Sequence, residues 1–165
     1  MASTATSAYL PPLEVPHERE GLGRELEAVL HELVNLSLIG KQLHWAVFGP
    51  LSRPIHLQLA GLVDSWRGLA ETVAERALAL GIVPDGQAQA VAAGSQLNPV
   101  AQGAIEDRLV VRELTRRIAD VSERVRARLK PVGEVDLVSQ NVLIEVVRKL
   151  EKQQWMLRIQ LEESV

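Results

Sequence analysis

Apolar residues recur along the chain at helical intervals, in four long segments. In the first, from about Glu20 to Val47, Leu26, Val29, Leu30, Leu33, Ser37, Gly40 and His44 share one face at three- and four-residue steps. Gly49-Pro50 ends it. The second runs from about Arg53 to Leu80, with Ser52 as N-cap, Pro54 in the first turn and Gly81 as C-terminal stop. A Gly/Ala/Gln/Pro stretch follows from Ile82 to Gly103, long enough to hold a short helix near Gln87–Ala93. The third helix is expected from about Ala104 to Lys130, on the stripe Leu114, Ile118, Val121, Val125 and Leu129, with Pro131-Val132-Gly133 as its break. The fourth spans about Val135 to Glu162, on Leu143, Val147, Leu150, Gln154, Leu157 and Leu161. Short first and third links with a long middle one predict an all-α four-helix bundle with one crossover.

Residues 20–163 form the expected bundle domain. Residues 1–19, small and polar and then Pro-rich at Pro11, Pro12 and Pro16, are expected to be a flexible tail. Composition agrees with a helical domain: 47% of the 165 residues are apolar but only 3% aromatic, so Leu, Val, Ala and Ile carry the core. The absence of Cys excludes disulfides, thiolate-ligated metals and a cysteine nucleophile. No stretch has the length and apolarity of a membrane span, and the N-terminus lacks the basic and apolar regions of a signal peptide. A net charge of −3 argues against a generally basic nucleic-acid binder.

Candidate chemistry lies around the first link. His44 closes the first helix and His56 opens the second, so the hairpin turn can bring their imidazoles together. Glu71 and Glu75 share a face of the second helix at i, i+4. His56 and Glu71 are 15 residues apart, roughly 22 Å along one helix. One ion cannot bind all four groups within one chain. A two-fold axis beside the second helix would instead bring one chain's histidines to the other's glutamates, making two equivalent sites. Imidazole with carboxylate and no thiolate suits Fe, Mn or Zn. Taken singly, each pair also fits a cap or a solvated helix face.

The ordered run Lys41-Gln-x-His44-Trp45, Gly49-Pro50, Ile55-His56 and Ala74-Glu75-Arg76-Ala77 resembles the signature of the Dps family, the mini-ferritins named as DNA-binding proteins from starved cells. The resemblance covers roughly residues 24–163, including Trp155. It implies a ferritin-like subunit of a hollow homododecamer built from two-fold dimers. It also implies a cytoplasmic protein, nucleoid-associated where DNA is bound, that oxidises Fe(II) with hydrogen peroxide and stores ferric mineral. By position, His44, His56, Glu71 and Glu75 match the ferroxidase ligands, and Trp45 an aromatic beside the iron. Two positions depart from the pattern. Glu71 stands where the family usually has Asp, and Ala60 stands where an Asp usually follows the second histidine by four residues. Asp64, roughly 12 Å from His56 along the axis, is a poor replacement. One iron position is then expected to be weak or filled through water.

The alternative is a DNA-compacting Dps with weak or absent ferroxidase activity. Relatives that condense DNA commonly use basic tails, whereas both ends of this chain are acidic. The third helix, with its row Arg108, Arg112 and Arg116, is the remaining candidate DNA contact, against a face of salt bridges to Glu113, Asp120 and Glu123. For an iron-entry pore the resemblance points to Glu134, Asp136 and Glu145, which equally fit as charges favoured by a helix N-terminus.

Overall fold

The computed structural model describes residues 16–162. Helix α1 spans Pro16–Ala46, α2 Ser52–Ala79, α3 Ala88–Gly94, α4 Asp107–Val135 and α5 Leu137–Glu162. Two-residue strands β1 (Val47–Phe48) and β2 (Ile105–Glu106) pair in parallel. α1 packs along α2, and α4 along α5, while α1 also contacts α4 and α3. This is the expected ferritin-like four-helix bundle, and its crossover carries the expected short helix, displaced by one residue.

The apolar stripes face one core. Leu26, Val29, Leu30 and Leu33 of α1 are buried with Leu59, Val63, Trp66 and Val73 of α2, Leu114, Ile118, Val121 and Val125 of α4, and Leu143, Val147, Leu150 and Leu157 of α5. Burying such side chains contributes about 1.5–3 kcal/mol each. The Trp66 indole N–H donates to Gln153 Oε1, and the Gln153 amide donates to Ser65 Oγ, so the buried Trp66 ring is satisfied across α2 and α5.

Several boundaries differ from expectation, among them the start of α4, at Asp107 rather than about Ala104 because Ile105–Glu106 pair as β2. α1 starts at Pro16 rather than Glu20, because proline's fixed φ suits a first turn, where its missing N–H costs nothing. The rest of the expected tail, residues 1–15, lies outside the described residues. At α2 the cap position is Leu51, not Ser52, and Ser52 is the first helical residue. Its far end behaves as read: Gly81 has φ +75, with Gly81 N–H bonded to Leu78 O and Ile82 N–H to Ala77 O, the paired closure of a left-handed helix stop. Pro131 does not end α4, which continues to Val135. Proline removes one rung of the ladder, and nearby the Gln140 amide donates to the Leu129 carbonyl from across the following turn. The break comes at Asp136, whose carboxylate accepts the Ser139 N–H at 2.8 Å and so caps α5.

The irregular crossover needs partners for its backbone. One polar face of α1 supplies most of them. Glu27 accepts the Asp85 N–H, and the buried His31 bonds through Nε2 to the Asp85 carbonyl at 2.7 Å. The buried Glu32 accepts from Ser95 Oγ and the Gln96 N–H, and Asn35 donates to Ser95 Oγ and the Leu97 carbonyl. From α4, buried Arg117 donates to the Asn98 and Pro99 carbonyls, and Arg124 holds Glu32 through two bonds.

Candidate metal centre

The α1–α2 link joins two helices across five residues, so His44 in the last turn of α1 faces His56 in the first turns of α2. Their rings stack with centroids 3.5 Å apart and an interplanar angle of 27°. Each is oriented by the other's main chain: His44 Nδ1 lies 2.9 Å from the His56 carbonyl, and His56 Nδ1 lies 2.9 Å from the His44 carbonyl. A carbonyl only accepts, so both Nδ1 atoms carry the proton in the neutral rings. Both Nε2 lone pairs are thereby left available to a metal, the arrangement that fixes the tautomer of a ligating histidine. His44 is buried and His56 exposed. Burial, with the neighbouring His56 and Lys41, lowers the His44 pKa against the opposing hydrogen bond to His56, which favours the neutral ligand form.

The turn is pinned from α4. Asp107, the first residue of that helix, is 3% exposed, and its Oδ2 accepts the Leu51 N–H at 2.7 Å while Oδ1 accepts the Arg108 N–H at 2.8 Å. Beside it, Val47 pairs with Ile105 and Phe48 with Glu106. Sequence reasoning passed over Asp107. Its signal was an acidic residue opening an apolar helical stripe, which reads as an ordinary helix start.

Glu71 and Glu75 are exposed on α2, and neither carboxylate has a hydrogen bond or ion pair among the described residues. Arg76, adjacent in sequence, is turned away to Asp136 at 2.7 Å and Ser139 Oγ at 3.0 Å. Glu71 borders a groove of about 340 Å³ whose walls include Leu30, Val34, Leu38 and Ala74. Among the described residues, no three His, Asp or Glu side chains converge on one metal position within the chain. The structure thus pairs the histidines, leaves the glutamates on the same helix, and does not bring the four together in one chain. Trp45 is 69% exposed beside the histidines, with Lys41 Nζ 5.8 Å from its ring centroid. Ala60 has no donor atom to offer, and Asp64 is exposed a turn further on.

The remaining candidates divide by their partners. Asp136 is mostly buried between Arg76 and Ser139. Burial opposes its charge, but hydrogen bonds from Ser139 and Arg76 outweigh it and hold the carboxyl below its ordinary range. Glu134 lies 4.0 Å from Lys130, and Glu145 pairs with Arg148 and Lys149. On α4, Arg116 is tied to Glu113 and Asp120, while Arg108 and Arg112 are exposed with no ion pair among the described residues. No helix among the described residues is long and apolar enough to cross a membrane.

The ferritin family profile, described as a ferritin-like domain, matches residues 24–164. The chain is 34% identical over 139 residues to DNA protection during starvation protein 2 of Deinococcus radiodurans, a match covering 84% of this chain and 58% of that one. The chain therefore spans less than two thirds of that relative's length. It is 32% identical to the DNA protection during starvation protein of Mycolicibacterium smegmatis, over 84% of this chain and 76% of that one. Among solved structures, the Dps of Microbacterium arborescens in its high iron form superposes with a TM-score of 0.84 at 30% identity, covering 90% of this chain and 97% of that one. Matched in sequence over most of its length and in backbone over nearly all of it, this chain belongs to the Dps family of ferritin-like proteins.

Proposed function

We propose that the chain is the subunit of an iron-oxidising, iron-storing shell, a homododecamer built from two-fold dimers and acting in the cytoplasm. The observation that carries this is the reciprocal binding of both Nδ1 atoms to backbone carbonyls, which presents two imidazole Nε2 donors at one place. His44 and His56 of one subunit and Glu71 and Glu75 of its two-fold mate hold Fe(II), which is both substrate and cargo. The unpaired glutamates and the apolar groove beside Glu71 suit a face that a second copy covers. Two Fe(II) each give one electron to one hydrogen peroxide, whose O–O bond breaks to two hydroxides, leaving two Fe(III) for the mineral. Trp45 flanks the site. Asp136 is held by its cap and Arg76, Glu145 by Arg148 and Lys149, and Glu134 only by Lys130 at 4.0 Å, so of the three Glu134 keeps the freest carboxylate for a pore.

The test is anaerobic Fe(II) mixed with peroxide at a measured particle mass. Replacing His44 and His56 together with Ala is expected to abolish rapid oxidation, and wild-type rates in that variant would remove the assignment. A DNA-compacting role has one supporting observation, the unpaired Arg108 and Arg112 on the α4 surface. Gel retardation of DNA by the assembled particle at low salt tests it, and no retardation at any protein excess removes it.

A further inference from the structure

Asp107 is joined to the histidine-bearing turn in two ways. Its Oδ2 takes the N–H of Leu51, the residue at the cap position of α2, five residues before His56. Its carboxylate also fills the space beside Gly49: with φ +121, that glycine would place a Cβ 2.4 Å from Asp107 Oδ2. The turn Gly49–Leu51 has therefore been shaped around the carboxylate as well as bonded to it. Immediately before Asp107, Ile105 and Glu106 pair with Val47 and Phe48, the residues that follow α1. Both ends of the link between the imidazoles are thus fixed to one short stretch of chain at the start of α4. Hydrogen-bonded groups behind a ligand set its orientation, and ligand geometry decides affinity.

We propose that Asp107 is a positioning residue for the metal centre: by holding the Gly49–Leu51 turn it fixes the separation and facing of His44 and His56. This rests on the reading of those histidines as ligands. Asp107 touches neither ring, so it acts through the peptide of Leu51 and the closed turn.

The experiment is a Co(II) titration of the assembled protein, followed by the visible d–d bands, whose position and intensity report ligand geometry. Asp107→Ala is expected to bind Co(II) about 10–100-fold more weakly, with a shifted spectrum. Asp107→Asn keeps an oxygen acceptor for the Leu51 N–H and is expected to recover affinity to within about threefold of wild type, the tolerance expected for one conserved hydrogen bond. Leu33→Ala, a core change three turns from His44, is expected to lower the melting temperature while leaving Co(II) affinity and spectrum unchanged. If Asp107→Ala does not assemble, Asp107→Ser, whose hydroxyl is too short to reach Leu51, takes its place with the same expected loss. Wild-type binding by Asp107→Ala, with binding lost in the His44→Ala/His56→Ala pair, overturns the positioning role and leaves the metal centre standing. Equal loss in Asp107→Ala and Leu33→Ala also overturns it, as a general effect of stability. Wild-type binding by the double histidine variant removes the metal reading, and the positioning role falls with it.

Discussion

The bond between Glu32 and Arg124 is the strongest single test of how the crossover is held. The Glu32 side chain is 6% exposed and that of Arg124 23%. Two guanidinium nitrogens reach the carboxylate at 2.8 and 3.0 Å, a two-pronged contact that fixes geometry as well as charge. Breaking a fully buried pair from one side costs about 3–5 kcal/mol, because the other charge is left without a partner. Glu32→Leu leaves a guanidinium with some access to water, so its cost lies near the lower end, about 3 kcal/mol. Arg124→Leu strands a nearly inaccessible carboxylate with only Ser95 Oγ and the Gln96 N–H, and is expected to cost as much or more. For a chain of this size each kcal/mol lowers the melting temperature by about 2–4 °C, so either variant should melt about 6–12 °C lower. The double variant replaces both charges by apolar groups and should recover to within about 2 kcal/mol of wild type. The assay is thermal unfolding by far-ultraviolet circular dichroism at one fixed protein concentration, since assembly shifts midpoints by mass action. Single variants melting within 2 °C of wild type, or a double variant that falls by the sum of the singles, would refute the reasoning.

Asp136→Asn tests the α5 cap. The native carboxyl titrates below its ordinary value of 3.8, so the stability it contributes is complete above that value and is lost as pH falls through the depressed one. The variant should be less stable than wild type by about 1–2 kcal/mol at neutral pH, with melting curves that converge below about pH 4. Leu26→Ala opens a cavity where the wild-type side chain is 0% exposed, and should lower stability by about 2–5 kcal/mol in the same unfolding assay. Gly49→Ala combines a positive φ with a Cβ 2.4 Å from Asp107, and should cost at least about 1–3 kcal/mol. A melting temperature equal to that of wild type would contradict it.

The helices were legible because their stripes obey one period and the core obeys the stripes. Leu26, Val29, Leu33, Ser37 and His44 were read as one face, and all are buried. The histidine pairing was legible because a short turn leaves little freedom in where the two helix ends meet. Less accessible were features fixed by contacts between distant segments. Pro16 and Pro131 both read as breakers, yet one opens a helix and the other is carried inside one, since the cost of a proline depends on whether its lost rung is needed. Glu32 and His31 lay on a helix face whose purpose shows only when the crossover backbone arrives there. Asp107 carried no mark of its own, because a carboxylate at a helix start is common and its partner, the Leu51 N–H, belongs to every residue type but one. On α4, Arg117 and Arg124 lie outside the row Arg108, Arg112 and Arg116, and turn inward to bond crossover carbonyls and the Glu32 carboxylate, which only the arrival of those segments reveals.

The two sets of contacts around the first turn differ in how far along the chain they reach. His44 and His56 are 12 residues apart, whereas Leu51 and Asp107 are 56 apart. Loop closure makes the longer contact about 1.4 kcal/mol more costly in chain entropy before any reward arrives. The imidazole stack can therefore form as soon as the first hairpin folds, while the turn beneath it stays free to rearrange until α4 docks. A nascent chain that has emerged only as far as α2 already holds both rings, but not the carboxylate that will fix them.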